Sequence, residues 1–289
     1  MRFLCHNVLP SFFIGGCWLG ATFFSPIGAQ PMLYSVLAHT AQATGFGENH
    51  RHPLSVIINP AAIAGFRKIA WAFAGEQRFL APGWTGWAAT AVVPVSSGSW
   101  SFMWAQEGLP ATADQLGMIT HAKAVSKQAL IGISLGINRK KVGSFNTVIT
   151  PAIAAGFTFS LSSEWQTDVS YSQFMGQRAS YRLPGNLFLL RYRLSYHPSD
   201  KVALVSGVTK ETGRIAAGSA AICYRPTPKA AFRIGCSGAP TLYWFGCLLG
   251  IGKKVVVQVH SGFYPLVGVS NGMSIYSDPT INRPDPSFR

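Results

Sequence analysis

Ile131, Ile133, Leu135 and Ile137 interleave with Gly132, Ser134, Gly136 and Asn138. The pattern returns where Ile153, Ala155, Phe157, Phe159 and Leu161 interleave with Ala154, Gly156, Thr158, Ser160 and Ser162. Apolar residues at every second position lie on one face of an extended strand, whereas a helix would scatter them around its axis. The intervening side chains are small and uncharged, unlike the charged outer face of a soluble sheet. A wall with an apolar outside and a mildly polar inside is what a strand needs to separate lipid from a barrel lumen.

The alternation continues along the chain from Ile69. Trp100, Phe102 and Trp104 oppose Ser101 and Ala105; Leu190, Tyr192, Leu194 and Tyr196 oppose Arg191, Arg193 and Ser195; Val255, Val257 and Val259 oppose Gln258 and His260. Turn-forming groups separate the runs, among them Ala81-Pro82-Gly83, Ser96-Ser97-Gly98, Pro198-Ser199-Asp200 and Gly252-Lys253-Lys254. Counting runs between turns gives about fourteen strands, an even number as bacterial barrels require. Their starts fall near Ile69, Trp84, Ser99, Gln115, Ala129, Thr147, Thr167, Asn186, Val202, Arg214, Ala230, Leu242, Val255 and Leu266. The predicted fold is all-β, a transmembrane antiparallel β-barrel with short loops. A soluble secreted β-sandwich binding protein is the rival, since it also alternates. Its outward positions would carry many charges, and the whole chain has only 10 acidic residues.

Hydrophobic residues make up 48% of the chain and charged residues 12%, a balance between soluble domains and helical membrane proteins. The one long apolar run, Val8 to Ala29, follows Arg2 and ends in small residues at Gly28 and Ala29. That is the layout of a secretory signal, with cleavage expected after Ala29 or Gln30. Pro10 and Pro26 speak against an uncleaved anchor, and the apolar Trp18-Leu19-Gly20-Ala21 speaks against lipidation at Cys17. Cys223, Cys236 and Cys247 remain after cleavage, an odd number without the spacing of a disulfide framework or a zinc site. The formal charge of +14 comes from singly scattered Lys and Arg. With export, this argues against nucleic acid as a partner and for phosphorylated lipid head groups.

Residues 30–68 lack alternation and carry Gly45, Gly47, Pro53 and Pro60. Asn59 suits a helix N-cap, Pro60 the first helical position, Ala61 to Ala64 a short helix, and Gly65 a left-handed close. The organisation expected is a signal peptide over 1–29, a plug or periplasmic segment with a short helix over 30–68, the barrel over 69–276, and an extended tail over 277–289. The segment either folds inward as a hatch or lies on the periplasmic side to dock a partner.

Ile58-Asn59-Pro60-Ala61-Ala62-Ile63-Ala64-Gly65 resembles the Asn-Pro-Ala element that precedes the first strand of FadL-like outer-membrane proteins, particularly the PorV and PorQ relatives of Bacteroidota. Gln115-Leu116-Gly117-Met118 and Ala129-Leu130-Ile131-Gly132-Ile133 look like recurrent strand starts of that family. Where its members carry a Gly-Gly and an acidic pair, this chain has Gly45-Phe46-Gly47-Glu48 and the basic His50-Arg51-His52. The PorP/SprF proteins share a similar element. The resemblance implies a bacterial outer-membrane location and either uptake of a hydrophobic or amphiphilic small molecule or service as an accessory barrel of type IX secretion.

Inward parity nominates a polar lumen set: Glu76, Arg78, Glu107, His121, Lys123, Arg191, Arg193, Arg225, Arg233, Gln258 and His260. These residues either pair among themselves or attract the carboxylate or phosphate head of an amphiphile while Met103 and aromatic neighbours hold its tail. Gly132-Ile133-Ser134-Leu135-Gly136 matches a nucleophile motif, but that motif needs a strand-to-helix turn. His39, His50 and His52 have no carboxylate or cysteine to complete a metal set. The expectation is a non-enzymatic, cofactor-free barrel. Its partners are outer-membrane lipid and lipopolysaccharide, a hydrophobic ligand, and secretion-machinery subunits under the second reading.

Overall fold

The computed structural model describes residues 52–109, 112–142, 147–175, 186–238, 241–252, 254–265 and 267–277. They lie within one compact unit, Pro31–Arg289. The expected signal peptide, Cys17, His39, His50 and the tail beyond Ser277 fall outside the described residues.

Fourteen strands form one closed antiparallel barrel. They are β1 (Ala70–Gln77), β2 (Thr85–Val95), β3 (Gly98–Leu109), β4 (Thr112–Ala124), β5 (Ala129–Val142), β6 (Val148–Ser160) and β7 (Trp165–Met175). The circuit continues with β8 (Asn186–Ser199), β9 (Val202–Glu211), β10 (Ala217–Thr227), β11 (Ala230–Gly238), β12 (Thr241–Ile251), β13 (Val255–Tyr264) and β14 (Gly268–Ser277). Each strand pairs with its chain neighbours, and β1 pairs with β14 in the register Phe73↔Ile275, which leaves no edge. A single closed sheet excludes the β-sandwich rival. The expected strand starts all fall within three residues of those observed, because the turn residues that mark them also end the ladders.

The rim where β1 begins and β14 ends is called proximal here. Its connections are short: 96–97, 125–128, 161–164, 200–201, 228–229 and 252–254. The longest connections, 78–84 and 176–185, lie at the opposite, distal rim. Register shifts break the β8/β9 and β10/β11 ladders near the proximal rim, beside Pro198 and Pro226. A proline has no N–H to give the ladder, so a local bulge accommodates it.

The outside of the wall is apolar and uncovered. Ile133, Leu135, Ile234 and Phe245 are each about 60% exposed, a pattern that makes sense against hydrocarbon and not against water. The buried core lies inside the barrel. Two 3-10 helices, Pro53–Ile57 and Pro60–Gly65, cross the lumen and pack on β1 to β6. Leu54, Ile63 and Phe66 from this segment meet Ala70, Ala72, Ala88, Met103 and Leu116 of the wall. Burying side chains such as Leu54 and Ile63, both at 0% exposure, is worth roughly 1.5–3 kcal/mol each.

The short helix starts at Asn59, as expected, but its end differs. Gly65 is its last residue and is not in a left-handed conformation; the chain leaves through an extended Phe66 whose N–H donates to Ile63 O at 3.2 Å. The element must run straight into β1, and a left-handed reversal at Gly65 would turn it away. The first 3-10 helix was not foreseen from sequence. Its N-cap is His52, whose Nδ1 accepts from Leu54 N–H at 3.0 Å, a role for which histidine gives little local signal.

Candidate functional site

The lumen holds two linked features, a seat for the 52–66 segment and a cavity beside it. Asn59 is the hub of the seat. Its Oδ1 accepts from Ala61 N–H at 3.0 Å, which starts the second 3-10 helix. Its Nδ2 donates to Thr158 Oγ1 at 3.0 Å, and at 3.3 Å to Asp168 Oδ1 and Phe157 O. Asp168 in turn accepts from Thr158 Oγ1 at 2.6 Å and from Arg193 Nε and Nη2 at 2.9 and 2.7 Å. One carboxylate on β7 thus ties together the 52–66 segment, β6 and an arginine of β8.

Pro60 and Ala61 lie directly on the wall where Gly132 and Gly156 leave a gap. A Cβ at Gly132 would stand 2.4 Å from Pro60 C, and one at Gly156 would stand 1.9 Å from Asn59 Oδ1. Only glycine allows this backbone-to-backbone approach. The Asn-Pro-Ala element and the glycines of β5 and β6 are therefore two halves of one joint.

Of the expected lumen set, Glu76, Arg78, Glu107, Arg233, Gln258 and His260 are buried inside, and Arg191, Arg193 and Arg225 face the lumen half-buried. His121 and Lys123 do not. The inward positions of β4 are Asp114, Leu116, Met118, Thr120 and Ala122, so these two residues face outward. There the His121 ring lies 4.6 Å from the ring of exposed Trp100. Alternation is ambiguous here because Leu116, Gly117, Met118 and Ile119 are four nonpolar residues in a row.

Much of the lumen charge is internally paired. Arg78 Nε lies 3.1 Å from Glu107 Oε1, His260 Nε2 3.5 Å from Glu76 Oε2, Lys140 Nζ 3.8 Å from Asp114 Oδ2, and Arg214 Nε 3.5 Å from Glu211 Oε2. Arg191, Arg225 and Arg233 make the interior basic overall. His52, buried and with its ring tilted against that of Tyr276 at 4.0 Å, is held well below the usual imidazole range, first by burial and then by the fields of Arg233 and His260. Because its Nδ1 accepts a hydrogen bond, the neutral ring carries its proton on Nε2.

The cavity measures about 50 Å³ and lies between Ile58 of the 52–66 segment and the wall residues Arg191, Arg193, Val205, Thr209 and Trp244. It offers an apolar floor, an indole and a guanidinium pair. Met103, expected at a ligand tail, packs in the core with Leu54, Ile63 and Phe66 of the 52–66 segment. A cavity that accommodates benzene measures roughly 150 Å³, so this one is smaller than an aromatic ring requires. Trp244 and Asp168 were not singled out from sequence, and Ile58 was read only as part of the Asn-Pro-Ala element. Asp168 shares its parity with Ser170 and Ser172, opposite Val169 and Tyr171, and that alternation was the signal available.

The chemistry of the other candidates is ordinary. Ser134 sits in mid-strand, buried, with its hydroxyl 2.7 Å from Thr120 Oγ1, and no strand-to-helix turn adjoins it. Among the described residues, no group of three or more His, Cys, Asp or Glu side chains is placed to hold a metal. Cys223 is buried inside, while Cys236 and Cys247 face outward opposite Tyr243 and Phe232 and not each other, and all three are free thiols.

No family model matches the sequence, and no curated protein does. Solved structures do match. The CymD monoaromatic hydrocarbon channel superposes with a TM-score of 0.58 at 12% identity, covering 82% of this chain and 96% of that one. A Pseudomonas aeruginosa FadL homologue gives 0.55 at 10% identity, over 82% and 95%. The Pseudomonas putida toluene transporter TodX gives 0.57 at 9%, over 81% and 93%. At such identities the likeness speaks for architecture alone: the closed fourteen-stranded barrel of this chain is similar in fold to these channels.

Proposed function

We propose that this protein is a non-enzymatic outer-membrane barrel that passes a hydrophobic or amphiphilic small molecule, exported on a cleaved signal peptide over residues 1–29. The observation that carries the reading is the packing of residues 52–66 against the inner wall of an outwardly apolar barrel, beside a cavity lined by Ile58, Trp244, Arg191 and Arg193. Trp244 and Val205 suit an apolar or aromatic body, and the guanidinium groups of Arg191 and of the Asp168-bound Arg193 make the cavity's electrostatic surroundings basic. The hydrocarbon channels of similar fold support the apolar part of this ligand class.

Short connections at the rim of the strand ends support a periplasmic position for that rim, as in bacterial barrels generally. The distal rim then faces outward, and lipid with lipopolysaccharide surrounds the wall. The second reading, an accessory barrel of the PorV or PorP type in type IX secretion, draws on the brevity of the distal connections 110–111 and 239–240. Uptake of labelled aromatic hydrocarbons and fatty acids by cells with and without the protein separates the two. Uptake that depends on the protein is the expected result, and equal uptake in both strains removes the transport reading.

A further inference from the structure

The outer face carries a polar feature that the lumen does not explain. By strand parity, the carboxylates of the described strands, Glu76, Glu107, Asp114, Asp168 and Glu211, all face inward. Lys123, Arg139, Lys141 and Lys210 face outward, and all four are exposed. The outer wall therefore presents cations and no strand carboxylate, an arrangement suited to anionic surroundings.

At the distal end of this wall, Gln106, Gln115 and Arg139 occupy facing positions on β3, β4 and β5. Their side chains form a hydrogen-bonded row. Gln115 Nε2 donates to Gln106 Oε1 at 2.9 Å, and Arg139 Nη1 donates to Gln115 Oε1 at 3.3 Å. Trp87 faces Gln106 at one end of the row, and Lys141 follows Arg139 on the same face at the other. Immediately below, Ile137 and Leu135 are 52% and 62% exposed. The row thus marks the border at which the wall changes from hydrocarbon-facing to polar. Side-chain amides in hydrocarbon would be costly, so the row belongs at the level of lipid head groups.

We propose that this row is a binding site for the phosphorylated saccharide head group of an outer-leaflet glycolipid. Arg139 and Lys141 take the phosphate, the amides of Gln106 and Gln115 take sugar hydroxyls, and Trp87 covers a sugar face. The acyl chains run down Ile137 and Leu135. Cations alone would serve any phospholipid; a row of neutral amides beside them fits a partner that is both phosphorylated and polyhydroxylated. The inference rests on the outer-membrane orientation given above.

The test uses the folded full-length barrel in detergent and three probes: bis-phosphorylated lipid A carrying its inner sugars, the same lipid dephosphorylated, and phosphatidylglycerol. Retention is read by native mass spectrometry. The parent should hold the phosphorylated glycolipid at least tenfold better than either of the other two. The double variant Arg139→Glu/Lys141→Glu should lose that preference, and Gln115→Leu should weaken it severalfold. Lys123→Glu, at the proximal rim, should leave it unchanged. Equal retention of all three lipids by the parent, or equal retention by parent and double variant, overturns the site. Heat-modifiable mobility and hydrocarbon uptake are measured on the same variants. Loss of glycolipid with uptake intact supports the site, and loss of uptake with glycolipid retained refutes this assignment of the row's role while leaving lipid binding by the wall in place.

Discussion

Replacing Gly156 by alanine tests the joint between plug and wall with a single methyl group. The new carbon would lie 1.9 Å from Asn59 Oδ1, 2.8 Å from Pro60 Cδ and 3.0 Å from Ala61 N. Contacts of this kind settle at roughly 3.5 Å or beyond, so Asn59 must withdraw by about 1.5 Å. That movement takes Nδ2 out of reach of Thr158 Oγ1 and Asp168 Oδ1, now 3.0 and 3.3 Å away. A neutral hydrogen bond contributes about 1 kcal/mol and one to a charged group about 1.5–3 kcal/mol. The seat should weaken by roughly 3 kcal/mol, or about two orders of magnitude in the ratio of seated to released plug. The strand itself keeps its ladders through Gly132 and Ser170, so the barrel should still show folded mobility before boiling. Conductance in planar bilayers is the assay, with Gly218→Ala as control, since nothing lies within 4 Å of a Cβ there. A Gly156→Ala barrel that folds normally and conducts no more than the parent would refute the reasoning.

Further outcomes follow from the same geometry. Deleting Leu54 to Gly65 should open the lumen and leave folded mobility intact, because the strand ladders do not run through the plug; loss of the folded band would show that the wall needs its filling. Ile133→Arg should lower assembly yield in lipid at a cost of about 2–4 kcal/mol at mid-depth, whereas Ser134→Arg, inside and beside Thr120, should assemble and unseat the plug. Equal yields for the two would invert the face assignment. His52 binds its proton less readily in the seated plug than in the released one, so its contribution to seating is complete above the ordinary value of about 6.5 and is lost as pH falls below it. Open probability should therefore rise on going from about pH 8 to about pH 5, and His52→Gln should flatten that dependence; an unchanged slope in the variant would assign the titration elsewhere.

The wall was largely legible in the sequence because each strand meets two different solvents, and period two records that directly. Ile131 to Ile137 against Gly132 to Asn138 fixes a face without any knowledge of neighbours. Legibility failed where a residue's place depends on its partners across the sheet. His121 and Lys123 read as inward because their strand has consecutive nonpolar residues, and a lysine at a rim can carry its stem along apolar surface while its charge reaches head groups. Asp168 is a lone carboxylate in its strand, and its importance comes from Asn59 and Arg193, far from it in sequence. The Asn-Pro-Ala element was readable as a cap, but its seat on Gly132 and Gly156 is a property of two backbones meeting.

The antiparallel circuit has a consequence for how the molecule comes together. Thirteen of its ladders join chain neighbours and close through local hairpins; the β1–β14 ladder joins residues at the two ends of the circuit. Closing that seam carries the largest loop-entropy cost and belongs to the last stage of assembly. The surfaces that receive Asn59, Pro60 and Ile63 lie on β3 to β7, all in the first half of the chain. A curved half-sheet of seven strands already presents the whole joint. The stopper can therefore be installed from the open side, before there is a mouth to thread it through.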